Sequence, residues 1–511
     1  MDRRQFLNTA TAAGLLSALP AMTPSRVTAA GIPADLTELS ASELAAAIRS
    51  RHVSCGEVML AYLDRIDRYN PVYNAIVSLR DRDELMVEAA AADRELDEGR
   101  YRGWMHGIPH AVKDLADVKG LPTSLGSPIF KGQVAASEGV MVSRIRSAGA
   151  IFIGKTNTPE FGMGSQTYNP VFGTTGSACN PELTAGGSSG GAACGLGTHM
   201  LPVADGGDMM GSLRNPAAYN NVIGFRPSFG RVPENGTGDL FYQLLAVAGP
   251  MGRNAEDTAR LLCTIAGATA DEPLSLRDDA PVADTFVPAQ LKGLRVGWLG
   301  NYDGYLPTEP GVLELCEASL GELQDQGAVV EACRPDYDMH RLWETWLTLR
   351  HWGRHSMRPL YDDPETRALL KPEAIWEIEG ALDVSSEAIF NAGVARSDWF
   401  RALRQLFETY DLLALPTAQV FPFSKDVHWP ERINDQAMDT YHRWMEVVIG
   451  GSLASVPVVN VPVGFDPSGR PMGMQMLGPF GEDRRVLEFA MAYEHVVPFL
   501  EQRPDLVTRA G

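Results

Sequence analysis

Cysteine is scarce in this chain. Six occur in 511 residues, at positions 55, 179, 194, 263, 316 and 333, and no two form a C-x-x-C pair. Some could pair if the chain is exported, but a fold this large needs no disulfide staple, and mostly buried free thiols are the expectation. Histidine numbers ten, and no H-E-x-x-H occurs. His351 and His355 stand four apart on an expected helix, but Trp352 lies between them and no companion ligand follows, so no metal is expected there. Basic residues are outnumbered 44 to 64, for a net charge of −20, and no run of five basic residues appears. Nucleic acid and an anionic membrane surface are therefore poor partners. No window of 18 consecutive apolar residues exists, which excludes a transmembrane helix. Internal repeats and Gly/Ser/Pro linkers are also missing, so one large unit is a simpler account than a string of domains.

What is present begins with an unusual start. Arg3-Arg4-Gln5-Phe6-Leu7 precedes an uncharged, mildly apolar stretch from Thr9 to Met22, and small residues follow at Val27-Thr28-Ala29-Ala30. A paired-arginine start, an apolar middle and an A-x-A-like end predict a twin-arginine signal peptide over residues 1–30. The mature chain would be residues 31–511, exported and periplasmic.

Beyond the leader the pattern is α/β. Helices are expected within 36–69, where Ser40-x-x-Glu43 makes a capping box, and over 82–98, ended by Gly99. A short apolar strand candidate runs from His106 toward Leu115. A helix over 138–149 stops at Gly149, and a strand Ala150–Gly154 follows. Further on, strands are expected at 294–299, 328–331, 411–415 (stopped by Pro416), 456–463 and 472–477, with helices over 310–326, 337–358 and 385–409. Between Phe161 and Gly238 the sequence is dense in Gly, Asn, Ser, Thr and Pro, too long for an idle loop in a compact domain.

Within that stretch, Gly186-Gly187-Ser188-Ser189-Gly190-Gly191 contains G-x-S-x-G twice, centred on Ser188 and on Ser189. That is the mark of a tight turn exposing a nucleophilic serine before a helix. The run has no lysine, so it does not end as a phosphate-binding loop does. A serine needs a base. His106, His110 and His199 are candidates with nothing to single one out. The alternative is Lys113, at the end of the apolar strand candidate, where burial would lower its pKa. The adjacent Asp114 would oppose that, so its side chain is expected to point elsewhere. Downstream, DGGDMMGSLR (205–214) sets Ser212 in a second glycine-containing loop whose backbone N–H groups suit an oxyanion hole.

Several ordered blocks now match one family. GIPHAVKD (107–114), GAIFIGKTNTPEF (149–161), GGSSGG (186–191), DMMGSLR (208–214), GFRPS (224–228), DLLALPT (411–417) and GMQMLG (473–478) resemble the amidase signature family of serine hydrolases over residues 36 to 495. The resemblance implies an α/β fold: a central mixed β-sheet covered by helices on both faces, in a single large domain. It implies Ser212 as nucleophile, Ser188 (after a cis peptide bond) as proton relay and Lys113 as base. The N–H groups of Met209, Met210, Gly211 and Ser212 would form the oxyanion hole, and Ser189, Asp208 and Arg214 would support it. Substrate contacts are expected at Gly162, Met163 and Gly164.

One position departs from the family pattern T-D-x-G-G-S: Met210 replaces the first of two glycines, and would be strained if that position needs positive φ. The implied activity is hydrolysis of a small carboxamide, anilide or carbamate, without cofactor or metal. A carboxylesterase and a catalytically weak amide-binding protein are the alternatives. A small amide is the expected partner, with a homodimer as the expected assembly. Trp343, Trp346, Trp352 and Tyr361 are expected mainly in the core, with an aromatic amide pocket nearby as the sharper alternative.

Overall fold

An eight-stranded mixed sheet runs through the computed structural model of the chain, which describes residues 32–233, 239–242, 245–278, 283–502 and 505–508. From edge to edge its strands are Val329–Ala332, Arg295–Trp298, Leu412–Pro416, Pro471–Leu477, Val458–Phe465, Ile223–Arg226, Val247–Gly252 and Val203–Asp208. Arg295–Trp298 is parallel to both neighbours, and the other pairs are antiparallel. The parallel pairing with Val329–Ala332 follows from the helix Val312–Asp325 between them, since parallel strands need a crossover. All seven residues of Pro471–Leu477 are buried. Alternate side chains of a strand point to opposite faces, so both faces of the sheet are covered. Helices Arg214–Tyr219 and Val312–Asp325 pack against this part of the sheet.

A smaller sheet carries Pro109–Lys113, Ile151–Thr156 and Ile76–Val77, with Ile151–Thr156 in the middle. Pro109–Lys113 lies beside the edge strand Val203–Asp208 of the large sheet. The Lys113 N–H donates to Asp205 Oδ2 at 3.2 Å, and His110 Nε2–H donates to Asp205 Oδ1 at 2.9 Å. The two sheets thus meet at the strand that ends in Lys113.

Most elements lie where their sequence pattern puts them. Ala41–Arg49 starts at the Ser40/Glu43 capping box, and Arg82–Asp97 ends before Gly99 at φ +77°. The helix expected over 337–358 is interrupted. Met339–Gly353 is followed by a 3-10 turn, His355–Met357, and then Arg358–Asp362, because Pro359 lacks the N–H that would continue the helix and starts a new one instead. Pro416 is the last residue of its strand, Leu412–Pro416, which ends where expected. It pairs with Met474, and its carbonyl accepts from Gln475 Nε2.

By internal contacts the chain divides into Met1–Ile32 and Pro33–Gly511. The expected leader, residues 1–30, lies outside the described residues. Among the described residues no helix is long and apolar enough to cross a membrane. All six cysteines are free thiols, and Cys55, Cys194 and Cys316 are buried.

Candidate active site

Lys113 ends a strand whose five residues are all buried. Its Nζ lies 2.7 Å from Ser188 Oγ, 2.8 Å from Ser189 Oγ and 3.4 Å from the Gly207 carbonyl. Burial pushes the Lys113 ammonium down to about 7, against Asp205 and Asp208, whose charges push it up. Asp114 is turned away, as expected. Its carboxylate accepts from the Ser124 N–H at 3.2 Å and from the Ser124 hydroxyl at 2.5 Å, with Lys155 Nζ at 4.0 Å. A buried amine near neutrality beside two hydroxyls is equipped to accept a proton.

The Ser188 turn is held by close backbone approach. A Cβ on Gly187 would meet the backbone nitrogen of Gln166 at 2.8 Å, so only glycine fits. The Gly187 N–H donates to Asn215 Oδ1 at 3.2 Å, and the Gly187–Ser188 peptide is cis. Ser189 stands at the N-cap of the helix Gly190–Gly197, yet its hydroxyl does not cap that helix and faces Lys113 instead. The Ser189 N–H donates to the Ser212 carbonyl at 3.2 Å, which ties the two serine turns together.

Ser212 follows the strand Val203–Asp208. Asp208 organises the turn: Oδ1 accepts from the Gly211 N–H and Arg214 Nη2, and Oδ2 accepts from the Leu213 N–H and Arg214 Nε, at 2.9–3.1 Å. Arg226 Nη1 adds a contact to Oδ1 at 3.1 Å. Burial by itself would raise the Asp208 carboxyl. Arg214 foremost, then Arg226 and the Leu213 N–H, hold it well below the usual carboxylate range. Of the four N–H groups expected in an oxyanion hole, Gly211 is therefore committed to Asp208. Those of Met209, Met210 and Ser212 have no partner among the described residues. Met210 is not in the left-handed region, so the strain foreseen for it does not arise. Gly211 takes the positive φ, +76°, and a Cβ there would come within 2.9 Å of the Val448 side chain. The loop keeps glycine at the position that needs it.

Lys113, Ser188 and Ser212 open on one cavity of about 250 Å³. Phe161, Gly162, Met209 and Arg354 also line it. Of the three expected substrate contacts only Gly162 is placed there; a Cβ on it would lie 3.5 Å from Ser188 Oγ. Met163 is fully buried in an apolar cluster with Leu370, Ala374 and Ile378, against which Phe161 packs, and does not itself line the cavity. Gly164 faces Lys371 and Tyr441 rather than the cavity. Trp343 and Trp346 are buried, and neither they nor Trp352 and Tyr361 line the cavity, whose aromatic wall is Phe161.

The histidines are engaged elsewhere. His106 Nε2–H donates to the Ala92 carbonyl at 2.9 Å, and His199 Nδ1 lies 2.7 Å from Arg253 Nη1. His351 Nδ1–H donates to the Glu377 carbonyl at 3.1 Å. Among the described residues no cluster of three or more His, Cys, Asp or Glu is arranged to hold a metal ion. Gly149 to Thr156 does match G-x-x-x-x-G-K-T, the phosphate-loop pattern. The structure makes Ile151–Thr156 a buried strand, and Lys155 Nζ donates to the Ala116 carbonyl and, at 3.2 Å, to Thr123 Oγ1. That lysine has no phosphate cradle around it.

Three functional neighbours escaped the sequence reading: Asp205, Arg226 and Arg354. Each is defined by partners on other elements, 18 residues away for Arg226 and Asp208 and 95 for Asp205 and His110.

The family model described as Amidase matches residues 57–487. An acylamidase of Rhodococcus erythropolis is 32% identical over 474 residues, covering 91% of this chain and 97% of that protein. Among solved structures, a bacterial aryl acylamidase of the amidase signature family superposes with a TM-score of 0.84 at 28% identity, covering 91% of this chain and 98% of that one. The peptide amidase of Stenotrophomonas maltophilia does so with a TM-score of 0.76 at 25% identity, covering 93% and 99%. With its fold, its ordered motifs and its relatives in agreement, the chain belongs to the amidase signature family and is a hydrolase of amide carbon–nitrogen bonds.

Proposed function

We propose that the protein hydrolyses a small carboxamide, anilide or carbamate through an acyl-enzyme on Ser212, with Ser188 as relay and Lys113 as base. The observation that carries this reading is the placement of Lys113 Nζ, 2.7 Å from Ser188 Oγ and 2.8 Å from Ser189 Oγ, on the cavity that Ser212 also lines. The neutral Lys113 amine takes the Ser188 proton as Ser188 takes that of Ser212. Ser212 Oγ bonds to the substrate carbonyl carbon, and the N–H groups of Met209, Met210 and Ser212 receive the charge that develops on its oxygen. The carbon–nitrogen bond breaks as the proton returns to the leaving nitrogen. Water then cleaves the Ser212 ester to release the acid. Ser189 holds Lys113, while Asp208 and Arg214 hold the loop.

The anilide branch is supported by the aryl acylamidase likeness and by Phe161 in the cavity wall. The test is mass analysis after a serine-directed phosphonate, together with turnover of Ser212→Ala. An adduct on Ser212 and loss of turnover by about 10³-fold or more are expected. No adduct would favour a noncatalytic amide-binding protein, and full turnover in Ser212→Ala would overturn the assignment of roles. A carboxylesterase would use the same residues; a panel of esters and amides with matched leaving groups separates the two.

A further inference from the structure

Two arginines one helical turn apart reach Met209 beside the cavity. Arg350 Nη1 and Arg354 Nη2 donate to its Sδ at 3.6 and 3.5 Å. Arg350 is neutralised: its Nε pairs with Glu377, and its Nη2 donates to the Tyr441 hydroxyl at 2.6 Å. Arg354 is different. It lines the cavity, its Nε is buried without a hydrogen-bond partner, and among the described residues no carboxylate lies within 4.0 Å of it. A thioether is a weak acceptor and leaves the guanidinium unsatisfied. The acidic residues of the cavity are already engaged. Asp205 holds His110 and the Lys113 N–H, and Asp208 holds Arg214 and Arg226. A half-buried guanidinium that lines the cavity, with no carboxylate among the described residues in contact with it and only the more distant Glu377, shared with Arg350, opposite it in charge, is a recognition element for an anion.

From this we infer that the substrate carries a carboxylate, and that Arg354 receives it in the same cavity where its amide meets Ser212. A planar carboxylate matches the guanidinium fork, which sets substrate orientation as well as affinity. The inference rests on the amidase reading for turnover, but not for binding.

The experiment compares 4-acetamidobenzoate with the uncharged 4′-acetamidoacetophenone as substrates, and benzoate with acetophenone as ligands by calorimetry. Wild type, Arg354→Gln and Arg354→Lys are used, with thermal melting to confirm folding. In the wild type, kcat/KM and affinity are expected to favour the carboxylate by about tenfold. Arg354→Gln should bring both ratios toward one, and Arg354→Lys should retain part of them. Ratios near one in the wild type, or ratios that survive in Arg354→Gln, overturn the proposal. If neither amide is cleaved, the calorimetric ratio still decides the role of Arg354, and it is the amidase reading that fails.

Discussion

In the proposed mechanism the chemistry turns on Lys113, and the environment of that residue sets the sign of the expected pH dependence. Burial pushes its ammonium down to about 7, and the working form of a base is the neutral amine. The kcat/KM is therefore expected to rise with pH through about 7 and then level off, in a pH–rate profile on an uncharged amide. Asp205 is the first of the two charges that oppose this shift, and its carboxylate also holds the Lys113 N–H at 3.2 Å. Asp205→Asn removes the anion that favours the ammonium, so the acid limb should move to lower pH. A limb that stays put or moves up would remove Asp205 from control of Lys113. Gly211 makes a second residue-scale case. At φ +76°, with Val448 at 2.9 Å from any added Cβ, Gly211→Ala is expected to destabilise by more than about 1 kcal/mol and to displace Ser212. A drop in denaturation midpoint together with lost phosphonate labelling at Ser212 checks both halves of that statement.

At the scale of elements, the site is a junction. The end of Val203–Asp208, the loop after it, the helix Arg214–Tyr219 and the strand Ile223–Arg226 are joined by one fully buried ionic knot, Asp208 with Arg214 and Arg226. Removing one member leaves charge uncompensated in the interior. Asp208→Ala is therefore expected to cost about 3–5 kcal/mol in chemical denaturation, well beyond a surface substitution. What the sequence discloses of these elements divides by physics. Apolar runs bounded by glycine, such as those that became Ile151–Thr156 and Val329–Ala332, announce their strands. Val203–Asp208 and Val247–Gly252 contain glycine pairs or a Gly-Pro step, so no alternation shows, and tertiary packing alone makes them strands. The serine and lysine motifs were legible because local glycines and a strand end mark them. Met163 was misplaced because the 3-10 turn at Glu160–Gly162 sends its side chain into the core, a direction that spacing does not encode. Arg226, Asp205 and Arg354 acquire meaning only through partners on other elements.

For the whole molecule, the free thiols and the paired arginines at positions 3 and 4 bear on the same question, where the chain completes folding. No disulfide holds the structure, and three of the six thiols are buried. Folding therefore asks nothing of an oxidising compartment. The thermal midpoint and turnover are expected to be unchanged by dithiothreitol. That is the behaviour suited to a protein that folds in a reducing compartment and crosses the membrane already folded, the route we propose for the twin-arginine leader over residues 1–30. The decisive substitution keeps the charge and removes the guanidinium pair: Arg3→Lys with Arg4→Lys. Amidase activity should then leave the periplasmic fraction and collect, with the leader still attached, in the cytoplasmic one. Its specific activity there should match that of the processed enzyme, because the described residues that line the cavity all lie between Lys113 and Arg354. Periplasmic activity that survives the double substitution would assign export to another route, and inactive cytoplasmic protein would show that maturation, not only address, depends on the leader.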